Sequence, residues 1–371
     1  MTAEVAILNK SAVALAADSA VTIPMSDGGA KIYNTVNKLF GLYPNHLVGV
    51  MIFGSAQIMQ TPWETIIKLY RSQLKPQQFK NLEDYGDDFI RFLKKGNGNL
   101  INVEKQRIYF EQRSLEIYEL LKSYFLRAVK DHIKQNKKIS EAELNRMMVG
   151  LFKKIKESVS DCDRIESLKG ISLRNMVARI RKATESQLKN VFQEFNISGT
   201  MRRTLAEIVA DSFKRDLGTF ESFSGFIVAG FGSSEEFPAV VGYDIDGMIG
   251  RSLRYVPRLS KQITVSDPAF VLPVAQREEV DAFLSGIHID YRSEIRSYVR
   301  NILTGLPREI LAEAGIKNRR MDRALTKMGR DEWTNFKGCL SSMNIITIGS
   351  QSGKRFPYCP KTNLRRWRKH L

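Results

Sequence analysis

The spacing of apolar residues changes twice along the chain, and this change most strongly limits the folds that the sequence can adopt. Short apolar runs typical of β-strands occupy roughly the first 75 residues and return after residue 217, most clearly at 223–232. Between them Lys, Glu, Arg and Gln dominate, and apolar residues such as Ile117, Leu121 and Tyr124 keep helical spacing. The sequence therefore predicts a sheet-forming core interrupted by a block of four or five amphipathic helices.

A length of 371 residues exceeds one minimal domain and suggests one large domain with an insertion, or two domains. The patterns divide the chain into four segments. We expect 1–75 and 218–306 to form the two halves of a core and 76–217 to form a helical insertion. The remaining segment, 307–371, is largely irregular in pattern and holds one candidate strand at 343–348 and a basic tail. Two sheets with helices outside them would use every apolar run of the core.

Turn residues and apolar spacing predict further local structure within the core. Asn-Lys-Ser at 9–11 predicts a tight turn between two strands, and Asp-Gly at 246–247 predicts a second hairpin turn. Two helices are predicted near the end of the core, over 276–284 and 291–303.

Two helix starts have recognisable capping signals. Thr61 is expected to cap a helix that has Pro62 at its first position. Ser140 and Glu143 have the spacing of a capping box, in which each side chain binds the other residue's backbone N–H.

The net charge of +17 leaves two interpretations open. A large excess of Lys and Arg can indicate a polyanionic partner, including nucleic acid. It can also result from long solvated helices that are rich in Lys, and no DNA- or RNA-binding motif accompanies the charge. The densest basic cluster is KTNLRRWRKH at 361–370.

The composition is that of a globular protein without a membrane span, a metal site or a cofactor motif. No window approaches the roughly 18 apolar residues that a transmembrane helix needs, and no secretory signal pattern is present. The cysteines Cys162, Cys339 and Cys359 lie far apart, and the four histidines are scattered. We therefore expect a cytoplasmic protein with reduced cysteines and no cofactor.

The N-terminal stretch TAEVAILNKSAVALAADSAVT resembles the start of proteasome β-type subunits and of the related bacterial two-tier ring protease. Those proteins are N-terminal nucleophile (Ntn) hydrolases. Their pattern has an N-terminal Thr, two strands ending in Ala-x-Asp-x-x-x-Thr, a Lys-Leu/Val-Phe stretch, and a strand that runs into Gly-x-Ala. The matching positions in this sequence are Thr2, 5–8, 13–17, Asp18, Thr22, 37–40 and 52–57.

The resemblance covers roughly residues 2–70 and 220–305 and implies both a fold and an activity. The fold is an α+β, four-layer αββα sandwich, here with an inserted helical subdomain. The activity is threonine-type hydrolysis of peptide or other amide bonds in peptide or protein substrates. The family forms oligomers, so a homo-oligomer is expected, and a partner such as an ATPase is left open.

The resemblance also assigns roles to individual residues. Removal of Met1 would give Thr2 a free α-amine, whose pKa of about 8 suits a general base for its own hydroxyl. Lys38 would lie beside the Thr2 hydroxyl, and Asp18 would pair with Lys38 and orient it. The backbone N–H of Met51 would face the developing oxyanion, and Ser19 would supply a supporting hydrogen bond.

Two alternatives to a proteasome-like peptidase remain at the level of sequence. One is a catalytically inactive scaffold whose basic helical insertion and tail bind an acidic partner or nucleic acid. The other is an amidohydrolase that acts on a substrate other than a peptide, because this fold serves several amide substrates.

Overall fold

The structure is a computed structural model in which most of the 371 residues can be described. The described parts of Met1–Thr35 and Ile263–Gly353 form a first compact unit, and Val36–Gln262 forms a second. The described residues are 3–19, 21–24, 30–33, 36–43, 46–76, 78–95, 102–136, 139–217, 223–275, 282, 286–316 and 318–342.

Strands and helices are numbered in chain order. The described strands are β1 (Ala3–Asn9), β2 (Val13–Ala17), β3 (Val21–Pro24), β4 (Ala30–Tyr33), β5 (Leu39–Tyr43), β6 (His46–Gly54), β7 (Gln57–Ile58), β8 (Thr61–Pro62), β9 (Ser224–Gly230), β10 (Ala239–Ile249), β11 (Ser252–Gln262) and β12 (Ala269–Ala275). The described α-helices are α1 (Trp63–Gln73), α2 (Leu82–Lys95), α3 (Val103–Asn136), α4 (Glu141–Ser160), α5 (Leu173–Val191), α6 (Gly199–Lys214), α7 (Ile289–Glu313) and α8 (Arg319–Ser342).

The first unit contains a three-stranded antiparallel sheet in the order β12-β1-β2, together with the β3–β4 pair and helices α7 and α8. The Asn9 side chain accepts hydrogen bonds from the N–H groups of Ser11 and Ala12, both at 2.8 Å. These bonds close the β1–β2 turn, so the turn predicted at 9–11 is confirmed. Helices α7 and α8 pack against each other.

The second unit is built on a five-stranded antiparallel sheet in the order β11-β10-β9-β6-β5. Every residue of β9 and β10 is buried, because both faces of these strands are covered. Helices α1 and α2 supply part of this cover. The ring of Phe226 on β9 lies 6.2 Å from the Trp63 ring and 4.8 Å from the Phe89 ring, centroid to centroid.

Helix α2 belongs to the layer that covers the sheet, although it lies inside the segment 76–217. It contacts β9, β10 and β11. Gly86 makes this approach close: a Cβ at that position would lie 2.6 Å from the Tyr243 Oη on β10. The layer of helices that covers the sheet therefore continues past residue 76, the predicted start of the insertion, and includes α2.

The remaining helices of the insertion, α3 to α6, continue the same hydrophobic core. One cluster of buried side chains runs from Trp63 and Phe226 at the sheet to Phe152 and Ile180 between the helices. Ser140 starts α4 with both hydrogen bonds of the capping box, so that prediction is confirmed. Insertion and sheet are therefore one packed unit.

Two local predictions are wrong. Asp246 and Gly247 do not form a hairpin turn but lie within β10, at an irregularity in its pairing with β11. The turn comes later, at Gly250, which has a positive φ of 64°. Helix α1 starts at Trp63 with Pro62 as its N-cap, because the Thr61 hydroxyl accepts a hydrogen bond from Lys105 Nζ at 2.8 Å instead of capping the helix.

The C-terminal predictions are confirmed in part. The helix predicted at 291–303 exists, but α7 continues through Pro307 to Glu313, so the boundary placed at 306 falls inside it. Helix α8 occupies 319–342, where no helix was predicted. Most of the predicted helix 276–284 and the candidate strand 343–348 lie outside the described residues.

The described parts of the chain therefore combine helices with antiparallel sheets, which confirms the mixed α and β class. No helix among the described residues is long and apolar enough to cross a membrane.

Candidate functional site

The predicted nucleophile, Thr2, lies outside the described residues, but its sequence neighbours can be placed. Ala3 begins β1, and Glu4 pairs with Ala17, the last residue of β2. Asp18 follows Ala17 directly, so the start of β1 and Asp18 lie at the same end of the β1–β2 ladder. The side chain of Asp18 is exposed, as is that of the predicted supporting residue Ser19.

The other two predicted site residues, Lys38 and Met51, belong to the second unit and lie close together. Lys38 precedes β5, and its carbonyl oxygen accepts a hydrogen bond from the Ile52 N–H at 2.9 Å. The next residue, Leu39, pairs with Met51. Lys38 is 5% exposed and Met51 is fully buried. The β5–β6 register therefore brings Lys38 and Met51 together at one end of the strand pair.

The same register gives a direction to the Met51 backbone. Successive residues of a strand direct their N–H groups to opposite neighbours. Since the Ile52 N–H binds Lys38 on the β5 side, the Met51 N–H points to β9, where Ile227 is its partner in the register. To bind an oxyanion, the Met51 N–H would have to turn away from β9. Otherwise the N–H of a neighbouring residue would have to be the donor. The assignment of Met51 stays a prediction.

Sequence analysis did not select Glu4, although its burial is unusual for an acid. The side chain is 1% exposed and shares the buried face of β1 with Ala6 and Leu8, opposite Val274. A carboxylate in such surroundings requires compensation by a partner or by protonation. The available signal was an acidic residue within an apolar strand, two positions after Thr2.

A group of charged side chains, also missed by sequence analysis, is buried between the insertion and the sheet. Asp246 on β10 accepts a hydrogen bond from Arg254 Nη1 at 3.0 Å and lies 3.1 Å from Arg113 Nη2 on α3. Burial lowers the pKa of the Arg113 guanidinium. Burial and the nearby charge of Asp246 raise the pKa of the Tyr109 hydroxyl well above its usual value.

Arg254 and Arg258 extend this group to the end of α6. Arg254 Nε donates to the Phe213 carbonyl at 2.8 Å, and its Nη2 donates to the Arg215 carbonyl at 3.0 Å. Arg258 Nη2 donates to Asp216 Oδ1 at 2.7 Å, and its Nε donates to Asp244 on β10. Each carboxylate is matched by a guanidinium, so the arrangement attaches helices to strands and presents no activated acid or base.

A cleft of about 550 Å³ lies between α1, the following loop and α2. Its wall includes Tyr70, Phe92, Lys75, Lys80 and Asp88. The four predicted site residues that the structure describes, Asp18, Ser19, Lys38 and Met51, are not part of it. The Tyr70 hydroxyl donates a hydrogen bond to Asp88 at 3.0 Å. Burial and the nearby Asp88 carboxylate raise the pKa of the Tyr70 hydroxyl. Apolar rings beside charges of both signs would suit a small amphipathic ligand.

The described residues contain no group of three or more His, Cys, Asp or Glu side chains that could hold a metal ion. Comparisons of the chain with protein-family models, with curated proteins and with solved structures found no match. What the chain does must therefore be argued from its own residues and contacts.

Proposed function

We propose that this chain is an N-terminal threonine hydrolase of the proteasome-like type, which cleaves amide bonds in peptide or protein substrates. The observation that carries the proposal is the burial of Lys38. Lysine is almost never this deeply buried unless it is paired, as the proposed site would pair it, and Lys38 is 5% exposed just before β5. It also occupies the position where the Thr-Asp-Lys order of the sequence requires a catalytic lysine.

The finer fold, a four-layer αββα sandwich with an inserted helical subdomain, is part of the same proposal. It is supported by the three-stranded antiparallel sheet of the first unit and the five-stranded one of the second, and by the layer of α1 and α2 on the larger sheet. It is also supported by the pairing of β1 with both β2 and β12, which makes the N-terminal strand the central strand of its sheet.

In the proposed mechanism, removal of Met1 exposes the α-amine of Thr2. That amine takes the proton of the Thr2 hydroxyl as Oγ attacks the substrate carbonyl carbon. A tetrahedral intermediate forms and collapses to an acyl-enzyme ester, while the amine returns the proton to the leaving nitrogen. Water then hydrolyses the ester. Lys38 stabilises the developing negative charge, and Asp18 orients Lys38.

The first test is chemical. Intact-mass measurement of the purified chain is expected to show the loss of Met1, because only then does Thr2 carry a free amine. Retained Met1 in a preparation that still hydrolyses amides would overturn the proposal.

The second test uses a fluorogenic peptide panel with an inhibitor directed at N-terminal Thr. Thr2→Ala is expected to lower kcat/KM by about 10³-fold or more, since the nucleophile is lost. Lys38→Ala is expected to lower it by about 10²- to 10³-fold, because one group that stabilises the developing charge is lost. Lys10→Ala, at an exposed lysine of the β1–β2 turn, is the matched control and is expected to retain activity. Equal activity of the Thr2→Ala variant and the wild type would contradict the mechanism.

A second candidate function is favoured by one surface of the insertion. Arg174, Arg181, Lys182 and Lys189 are exposed and lie on one face of α5, where Arg181 and Lys182 are adjacent and each lies seven or eight residues from Arg174 and Lys189. Lys189 is ion-paired with Glu185. A scaffold that binds an acidic partner or nucleic acid would use this face. Charge reversal of Arg181 and Lys182 should then weaken retention on a polyanion column and reduce its salt dependence. The Thr2→Ala variant is the control and should be retained like the wild type. Unchanged retention would exclude this face.

A further inference from the structure

The cleft between α1, the following loop and α2, called the α1–α2 cleft below, has more cations in its wall than acids. The cations of the wall are Lys75, Lys80, Arg91 and Lys95, and its acids are Asp84 and Asp88. The volume of about 550 Å³ is within the range of sites that bind small molecules. The charges of the wall therefore decide which kind of small molecule fits.

Both acids of the wall are already hydrogen-bonded within the chain. Asp88 Oδ1 accepts a hydrogen bond from Arg91 at 2.7 Å, and its Oδ2 accepts one from the Tyr70 hydroxyl at 3.0 Å. Asp84 Oδ2 accepts hydrogen bonds from the backbone and the side chain of Asn81, at 3.1 Å and 3.2 Å. Asp88 and Arg91 balance each other, so Asp84 is the single acid that remains to offset the three lysines.

The lysines of the wall are exposed and are not matched by acids. Among the described residues, no carboxylate lies within 4 Å of the ammonium groups of Lys75, Lys80 or Lys95. Unmatched cations around a concave surface produce a positive potential, which attracts anions. The charge of the wall therefore favours an anionic ligand.

The floor of the cleft is apolar. It is formed by Tyr70, Leu74 and Phe92, which are 2%, 8% and 6% exposed. The half-buried ring of Phe79 adds to the same wall. An inorganic anion would leave these apolar atoms in contact with water, whereas a ligand that also carries an apolar body would cover them.

Hydrogen bonds to the loop between β9 and β10 hold one side of the cleft in place. The Phe79 carbonyl accepts a hydrogen bond from the Ser233 N–H at 2.9 Å, and the Lys80 carbonyl accepts one from the Ser234 N–H at 3.0 Å. The Phe79 N–H donates to the Tyr85 hydroxyl at 3.3 Å. This part of the wall is therefore formed before any ligand binds, which lowers the entropy cost of binding.

We propose that the α1–α2 cleft binds a small organic anion. The anionic group, a phosphate or a carboxylate, lies among the lysines of the wall, and a ring or a short alkyl body covers the apolar floor. The site is independent of the hydrolase proposal, because the described residues of the predicted catalytic site do not line it.

The first experiment is a titration of the full chain, followed by ligand-observed NMR, with phenyl phosphate, phenol and inorganic phosphate. Phenyl phosphate is expected to bind with a Kd of about 1 mM or below, and the other two at least about tenfold more weakly. Phenol that bound equally well would exclude the role of the anion, and inorganic phosphate that bound equally well would exclude the role of the floor. Either result, or no binding of phenyl phosphate, would overturn the proposal.

The same titration with benzoate distinguishes the two anionic groups. Tighter binding of benzoate than of phenol is expected, and the stronger of benzoate and phenyl phosphate identifies the group that the lysines prefer. Benzoate and phenyl phosphate that both bound no better than phenol would contradict the proposed role of the lysines.

Substitutions locate the binding site. Lys80→Gln combined with Lys95→Gln is expected to weaken the binding of phenyl phosphate by about tenfold. Lys68→Gln is the matched control, because Lys68 is an exposed lysine of α1 that pairs with Glu64 and lies outside the wall. Thr2→Ala should bind like the wild type, so that a failure of the hydrolase proposal stays separate. Unchanged binding by the double variant would exclude the cleft.

Asp88→Asn tests the sign of the ligand charge. The amide keeps an acceptor for Tyr70 and removes the negative charge that balances Arg91. Binding of phenyl phosphate is therefore expected to strengthen by about threefold or more. A variant that is folded by circular dichroism, but binds phenyl phosphate more weakly or equally, would overturn the proposal.

Discussion

The two units of the molecule use their apolar residues differently. In the second unit every residue of β9 and β10 is buried, and the core continues without interruption into the insertion helices. In the first unit Ile7 on the central strand is 45% exposed, and α7 leaves a whole row of apolar side chains exposed. Among the described residues, the second unit therefore packs its apolar side chains into one continuous core, whereas the first leaves a row of them exposed.

The largest expected effect concerns the ion pairs that attach the insertion in the second unit. Asp246→Asn would leave Arg113 and Arg254 without their shared carboxylate in a buried place. We expect the free energy of unfolding to fall by about 3–5 kcal/mol, because an uncompensated buried charge is costly. Urea denaturation measures this change.

The control for that prediction is Glu166→Gln. Glu166 pairs with Lys169 on the surface, and its side chain is 79% exposed. Exposed pairs contribute little, so the stability of this variant should match the wild type. If Asp246→Asn were equally neutral, the second unit would not depend on its buried charges, and the contrast with the first unit would weaken.

The next prediction concerns the α7–α8 contact in the first unit. A Cβ at Gly329 would lie 1.9 Å from the Leu303 carbonyl oxygen, whereas no atom of the described residues lies within 4 Å of a Cβ at Gly338 on the same helix. Gly329→Ala is therefore expected to destabilise by about 1–3 kcal/mol. Gly338→Ala is expected to stabilise α8 by up to about 1 kcal/mol, because alanine has the higher helix propensity.

Thermal unfolding followed by circular dichroism compares the two glycine variants directly. Opposite signs would show that the first unit has a well-packed helical contact despite its exposed row of apolar side chains. Equal changes in stability for the two variants would mean that α7 and α8 do not pack as described. The first unit would then differ even more from the closely packed second unit.

The smallest effect is a pH dependence at the start of α4. The Ser140 backbone and hydroxyl hydrogen bonds lower the pKa of the Glu143 carboxyl. A lowered carboxyl pKa stabilises the fold above the unfolded-state pKa, and this stabilisation is lost as the pH falls through the folded-state pKa. The stability difference between the wild type and Glu143→Gln should therefore shrink on acidification from pH 7 to about pH 3.

Measuring both proteins by urea denaturation across that range tests the cap. If the stability difference between the wild type and Glu143→Gln stayed constant with pH, the charge of Glu143 would not contribute to the stability of the cap. Glu141→Gln, at the neighbouring exposed acid outside the capping box, is the control.

Elements whose signals are local could be predicted from the sequence. The β1–β2 turn depends on the Asn9 side chain, and the start of α4 depends on Ser140 and Glu143, which are three residues apart. The neighbouring positions of Lys38 and Met51 follow from a strand pair that is close in sequence.

What failed depended on packing between distant segments. Gly247 is needed because a Cβ there would lie 2.7 Å from the Tyr109 ring on α3, not because a turn is formed. The ion pair of Asp246 with Arg113 joins residues on different elements, and no spacing in the sequence indicates it. Alternation identified β1 as a strand, but it did not show that Glu4 would lie on the buried face.

The attachment of the insertion also limits how the protein can be shortened. A minimal core made by joining the end of α2 to β9 would remove Arg113, the Phe213 and Arg215 carbonyls and Asp216, all of which contact β10 or β11 side chains. Asp246 would then keep only one of its two arginines, and Arg258 would keep only Asp244. An engineer who wanted the sheet alone would have to redesign Asp246, Arg254 and Arg258 as well as the loop.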